Sequence, residues 1–123
     1  MTTLPVVDGH NDLPWAMRRV GYDFDEVDIA QAQPQLHTDL PRMRAGDVGA
    51  QFWSVYVPCS FVGQAAVRAT LEQIDAVYAM IERYPDQLIL VTNADGLDQT
   101  LRQRARIGSL FMTIEAEAFA MDA

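Results

Sequence analysis

Hydrophobic and polar positions follow two rhythms along this chain, and the switches between them mark its elements. Residues 4–7 form a short apolar run with two valines that ends in Asp8-Gly9-His10-Asn11-Asp12, which predicts a buried strand entering a polar, functional loop. Residues 13–19 open a helical turn, and residues 21–35 have no clean period, the pattern of a long loop with broken helix. Residues 38–46 carry a capping residue, Pro41 in the first turn and Gly46 at the end, the punctuation of a short helix. Residues 48–57 are aromatic and β-branched and stop at Pro58, which predicts a second strand. In residues 64–84, Val67, Leu71, Ile74, Val77, Tyr78 and Ile81 recur at the spacing of an amphipathic helix. A short strand at 88–91, a second long helix at 94–106 and a further apolar strand at 107–114 complete the series.

Strands alternating with helices of this length predict βαβ units and a parallel sheet, an α/β fold with no internal repeat or linker. The 123 residues are half hydrophobic and 21% charged, ordinary values for a globular protein. The formal net charge is -8, and every basic residue is an arginine, spread from Arg18 to Arg106 among 17 acidic residues. That distribution argues against nucleic acid as a partner, since phosphates are normally met by clustered basic side chains. Cys59 is the only cysteine, so the chain forms no internal disulfide and no cysteine-based zinc site. The first residues lack a basic and apolar leader and no apolar run is long enough for a bilayer, so a cytoplasmic protein with no membrane contact is expected.

The candidate chemistry lies at the first strand. His10 and Asp12 are two residues apart, so an extended backbone through them projects both side chains to one side. Imidazole nitrogen and carboxylate oxygen are both zinc donors. Spacing alone leaves the alternative open, because a His-x-Asp pair is also a common surface arrangement. Asp8 is either a partner behind His10 or a turn residue. Glu115, at the end of the last strand, is a third carboxylate able to reach the same mouth, with Glu117 as its rival and two solvated glutamates as the plain alternative. Trp53 and Tyr56 are expected on opposite faces of the second strand, as core filling. Cys59 reads as a small buried hydrophobe rather than a nucleophile, and nothing places His37 near it.

Three segments together resemble the renal or membrane dipeptidases, peptidase family M19. They are Asp8-Gly9-His10-Asn11-Asp12-Leu13-Pro14-Trp15, Asp39-Leu40-Pro41-Arg42-Met43-Arg44-Ala45-Gly46, and Gly49-Ala50-Gln51-Phe52-Trp53-Ser54-Val55-Tyr56-Val57-Pro58. The match continues through Thr70-Leu71-Glu72-Gln73-Ile74-Asp75 and Tyr84-Pro85, and so covers most of residues 5–110. The resemblance implies a (β/α)8 TIM barrel that cleaves dipeptides with two zinc ions bridged by a glutamate. His10 and Asp12 match the ligands of the first zinc, and Glu115 best matches the bridging glutamate.

The end of the chain departs from that pattern. Relatives continue Glu-Gly-Gly-His, whereas this sequence reads Glu115-Ala116-Glu117-Ala118-Phe119, and Glu115 sits one place further from Ser109 than the family spacing. A slip of one residue turns a strand side chain to the other face. Two further histidine ligands and the groups that handle substrate have no counterpart, and a barrel of this type typically needs about 250 residues. The expectation is therefore an incomplete (β/α)8 domain: residues 1–123 as the N-terminal fragment, with the first three or so βα units, inactive alone. It is expected to self-associate or to pair with a complementing C-terminal half. Two other readings stand beside it: a different amidohydrolase-type metal enzyme, since His-x-Asp resembles the His-x-His of that group, and a non-catalytic remnant that binds a partner chain.

Overall fold

The computed structural model describes residues 4–112. Its elements run in the order β1 (Val6–Asn11), α1 (Leu13–Arg18), α2 (Leu40–Ala45), β2 (Val48–Ser54), α3 (Gln64–Arg83), β3 (Leu88–Leu90), α4 (Ala94–Gln103) and β4 (Ile107–Met112). All strand pairs are parallel and the sheet order is β1-β2-β4-β3. The chain thus passes over the place of β4 to form β3 and returns through α4 to fill it.

Local chemistry accounts for the helix ends. The Asp39 carboxylate accepts from the Arg42 backbone N–H at 2.9 Å, which caps α2, and Pro41 sits where a missing N–H costs nothing. Asn93 caps α4 in the same way through the Gly96 N–H. The segment between α1 and α2 is a run of turns and bends. Tyr84, at the end of α3, ties it down through the Ile29 N–H and Asp28.

The main core cluster lies between the sheet and helices α1, α2 and α3, built on Trp53, Leu88 and Ile107 from the strands and Leu13, Met17, Leu40, Met43, Val77 and Met80 from the helices, and a smaller one joins Val57 to Ala66 and Ala69. Here the sequence reading of α3 needs correcting. The helix exists, but its buried face is Ala66, Ala69, Thr70, Gln73, Ala76, Val77 and Met80. Of the six residues that set the amphipathic rhythm, Val67, Leu71 and Tyr78 are exposed, whereas Val77 is buried and Ile74 and Ile81 are partly buried. Alanines on that face let the helix approach closely around Val77 and Met80, and on its flank Tyr78 leans on Phe111 with ring centroids 5.3 Å apart.

Two boundaries also differ. β1 does not stop at Val7 but runs through the polar cluster to Asn11, because β2 offers partners along that length, with Asn11 opposite Trp53. β2 ends at Ser54, so Tyr56 lies beyond the strand and is exposed while Trp53 is fully buried. Cys59 is exposed, not buried, because it falls in the turn after Pro58 rather than on a packed element.

Candidate functional site

The carboxyl end of β1 is built from an irregularity. Asp8 pairs with Gln51 and Asn11 with Trp53, so three steps on β1 oppose two on β2, and one extra residue is accommodated between them. In a regular strand, residues three apart face opposite sides. The extra residue lets both Asp8 and Asn11 reach Gln51. The Gln51 Nε2 donates to Asp8 Oδ2 at 2.7 Å, and its Oε1 accepts from Asn11 Nδ2 at 3.3 Å. Asn11 in turn donates to Thr38 Oγ1 at 2.9 Å, and its Oδ1 accepts from the Leu13 N–H at 3.0 Å, fixing the entry to α1.

His10 and Asp12 project from this scaffold. Asp12 has left the strand, with φ -88° and ψ 20°, and stands at the N-cap of α1, yet its side chain makes no capping hydrogen bond. Pro14, at the second position of the helix, has no N–H to offer a cap, and the Asp12 carboxylate turns instead to His10. The His10 Nε2 lies 3.1 Å from Asp12 Oδ2, with the side chains 49% and 58% exposed. The two groups open onto a cavity of about 540 Å³ that Trp15, Arg19, Leu36 and His37 also line. His37, which sequence reasoning left unplaced, therefore shares the cavity of His10.

Trp15 is braced from behind. Its ring meets Tyr56 and Phe61 edge-on at 6.0 and 5.9 Å, and the Arg18 guanidinium lies over the Trp15 ring at 5.5 Å while pairing with Glu72 at 2.7 Å. This cluster holds α1 against α3 beside the cavity.

The donor chemistry of the pair suits a divalent cation. Two ligand atoms on one zinc at about 2.1 Å each stand about 3.4 Å apart in tetrahedral geometry, close to the spacing of these two atoms. Two donors do not complete a coordination shell, and among the described residues no group of three or more histidine, cysteine, aspartate or glutamate side chains converges. Glu115 and Glu117 lie outside the described residues. No described helix is long and apolar enough to cross a membrane.

The family model of the membrane dipeptidases, peptidase family M19, matches residues 1–123. The chain belongs to this family. It is 45% identical to Dipeptidase 3 of Mus musculus over 109 residues, covering 88% of this chain and 22% of that protein. It is 38% identical to Dipeptidase verJ of Clonostachys rogersoniana over 122 residues, covering 89% of this chain and 31% of that protein. The chain thus spans about a fifth to a third of the length of these relatives.

In fold it is similar to the crystal structure of dipeptidase AC, an M19 metallo peptidase, with a TM-score of 0.70 at 20% identity over 98% of this chain and 39% of that one. A metallo peptidase from Rhodobacter sphaeroides, liganded with a phosphinate mimic of the dipeptide L-Ala-D-Ala, aligns with a TM-score of 0.68 at 18% identity, over 98% of this chain and 42% of that one. The expected α/β architecture, part of a (β/α)8-type M19 dipeptidase fold, is the one observed.

Gln51, Asn11 and Thr38 were missed as site residues. The one signal in the sequence was a glutamine inside an otherwise apolar strand, a position that demands polar partners.

Proposed function

We propose that this chain contributes a metal-holding edge of a zinc-dependent dipeptidase, with His10 and Asp12 as ligands of one zinc ion and Glu115 as the carboxylate joining it to a second. The observation that supports this reading is the 3.1 Å approach of His10 Nε2 to Asp12 Oδ2 at the mouth of a parallel sheet in an M19 chain. Glu115 rests on the family resemblance alone, and Glu117 is its alternative. A bound zinc ion would supply an activated water and polarise the peptide carbonyl. The chain's own contribution is to present one imidazole nitrogen and one carboxylate oxygen side by side, with no capping bond competing for the Asp12 carboxylate. The adjoining cavity is within the usual size of small-ligand sites, and a dipeptide is its proposed occupant.

His10 and His37 are the only histidines in the sequence, fewer than a two-zinc site with further imidazole ligands requires. The remaining ligands are therefore proposed to come from polypeptide outside these residues, and the isolated chain to turn over no dipeptide. The test is a zinc titration followed by NMR of the two imidazole rings. Zinc should shift His10, and His10→Ala or Asp12→Asn should abolish the response. Saturable zinc binding that leaves His10 untouched would sink the assignment, and chelator-sensitive hydrolysis of a dipeptide by the isolated chain would sink the claim of inactivity. The second reading, a non-catalytic fragment that binds a partner chain, is favoured by the lack of a third converging ligand among the described residues.

A further inference from the structure

Gln51 sits in the middle of an apolar strand and is 2% exposed, yet every polar atom of its side chain is engaged. Its Nε2 donates to Asp8 Oδ2 and also meets the Asp8 and Phe52 carbonyl oxygens at 3.3 and 3.1 Å. Its Oε1 accepts from Asn11. The orientation of the amide follows from these partners, since a flipped amide would set oxygen against the Asp8 carboxylate.

The placement of these bonds along β1 matters more than their number. Asp8 and Asn11 bracket His10. Asn11 and the Leu13 N–H, which Asn11 holds, bracket Asp12. The extra residue of β1 lies between the two positions that Gln51 grips. Without that grip the irregularity is free to move along the strand, and a shift of one residue turns each side chain to the other face. We infer that Gln51 is a positioning residue: it pins the irregular end of β1 through Asp8 and Asn11, and so sets the side-by-side presentation of His10 and Asp12. The inference rests on the proposed role of that pair as zinc ligands, while its geometric content stands without zinc.

A structural role in the core makes a different forecast from a positioning role. Losing a core amide lowers global stability. Losing a positioning group lowers metal affinity more than stability, by about 10–100-fold for partners standing behind metal ligands.

Three variants separate the two: Gln51→Glu, Asp8→Asn, and the pair combined. Gln51→Glu alone sets two carboxylates against each other. In the double variant the amide introduced at position 8 donates to the carboxylate introduced at position 51, which still accepts from Asn11. Three measurements follow each variant: zinc titration read at the His10 imidazole by NMR, hydrogen exchange at the Leu13 amide, and urea unfolding.

Gln51→Glu should weaken zinc binding at least tenfold and speed Leu13 exchange at least tenfold, while amides in the middle of α3 keep their protection. The double variant should recover part of both, since the carboxylate introduced at position 51 still faces the carbonyl oxygens of residues 8 and 52. Unchanged zinc affinity at His10 in a destabilised Gln51→Glu chain overturns the inference, as does a double variant that regains stability but neither zinc affinity nor Leu13 protection. Should Gln51→Glu fail to fold, Thr38→Val loosens Asn11 from its other side and should weaken zinc binding in the same direction; no change would overturn the inference. Should zinc fail to reach His10 in the parent chain, the metal reading fails by itself, and Leu13 exchange alone then decides whether Gln51 pins the segment.

Discussion

The Tyr84 hydroxyl donates a 2.8 Å hydrogen bond to Asp28 Oδ1 and accepts a 3.1 Å bond from the Ile29 N–H, so one phenol at the end of α3 anchors the long connection between α1 and α2. Burial, followed by the bond to Asp28, pushes the phenol's pKa up to about 12 from its ordinary 10.0. Tyr84→Phe keeps the ring but leaves a buried N–H unpaired, which costs about 1–3 kcal/mol. Urea unfolding at neutral pH measures that loss. A raised folded pKa means stability is fully present below pH 10 and is lost as pH rises toward 12. The alkaline loss attributable to this group, roughly 2–3 kcal/mol, should be missing in Tyr84→Phe.

The acid limb has the opposite sign. Burial opposes ionisation of Asp39, but the N–H groups of Gln33 and Arg42 and the Arg42 guanidinium outweigh it and hold the carboxyl's pKa below the ordinary 3.8. A depressed folded pKa gives stability that is present above pH 3.8 and lost as pH falls through the folded value. Asp39→Asn should therefore be less stable than the parent near pH 6 and approach it near pH 2. Parallel pH profiles for the two chains would count against this account.

Size and exposure separate on α3, and two substitutions read the difference. Leu71 belongs to the stripe visible in the sequence but is 55% exposed, whereas Met80 is 1% exposed. Leu71→Gln should change stability by less than about 0.5 kcal/mol. Met80→Ala should cost about 2–5 kcal/mol, the range for emptying a packed core position. Equal losses from the two, in chemical denaturation, would restore the outer stripe as the packed face.

That contrast shows where the sequence was legible. Helix and strand periods are local, so the elements from α2 to β4 could be placed within a few residues. The face a helix buries depends on what it packs against, and on α3 the alanines facing the sheet carry no strong hydrophobic signal. The length of β1 was hidden for a similar reason, since its polar end is a strand only because β2 lies beside it. At the site, spacing put His10 and Asp12 on one side, where they indeed stand 3.1 Å apart, and only the resemblance singled them out from other His-x-Asp pairs. Gln51 was not legible, because its partners Asp8 and Asn11 lie 43 and 40 residues away in sequence.

A buried hydroxyl offers a test in the other direction. Ser109 is fully buried in β4, and among the described residues its Oγ has no hydrogen-bond partner. Burying a hydroxyl without compensation costs about 1–3 kcal/mol on protein scales. Ser109→Ala removes that cost and only a small volume, so thermal unfolding should show a chain as stable as the parent or more so. A loss above about 1 kcal/mol would mean that the hydroxyl has a partner after all.

At the other end of the sheet two glycines allow close packing, to different degrees. A Cβ built on Gly49 would stand 2.7 Å from Pro5 Cβ and 2.9 Å from Leu101 Cδ2. A Cβ on Gly108 would stand 3.1 Å from Val91 Cγ2, with Ala50 and Thr100 at 3.4 Å. Neither glycine has a positive φ, so alanine at either position meets no backbone strain. Replacing glycine by alanine gains about 0.4–1 kcal/mol by restricting the unfolded chain. Overpacking a core contact costs about 1–3 kcal/mol. At Gly108 the neighbours need to yield only a few tenths of an ångström, so gain and cost should nearly cancel. At Gly49 the Leu101 side chain can rotate away, but the Pro5 ring cannot, and moving it displaces the start of β1. Gly49→Ala should therefore be the more destabilising of the two by about 1–2 kcal/mol in urea unfolding. Combining it with Leu101→Ala should recover only part of the loss, because the contact with Pro5 remains. Full recovery in that double variant would assign the clash to α4 alone and free β1 from it.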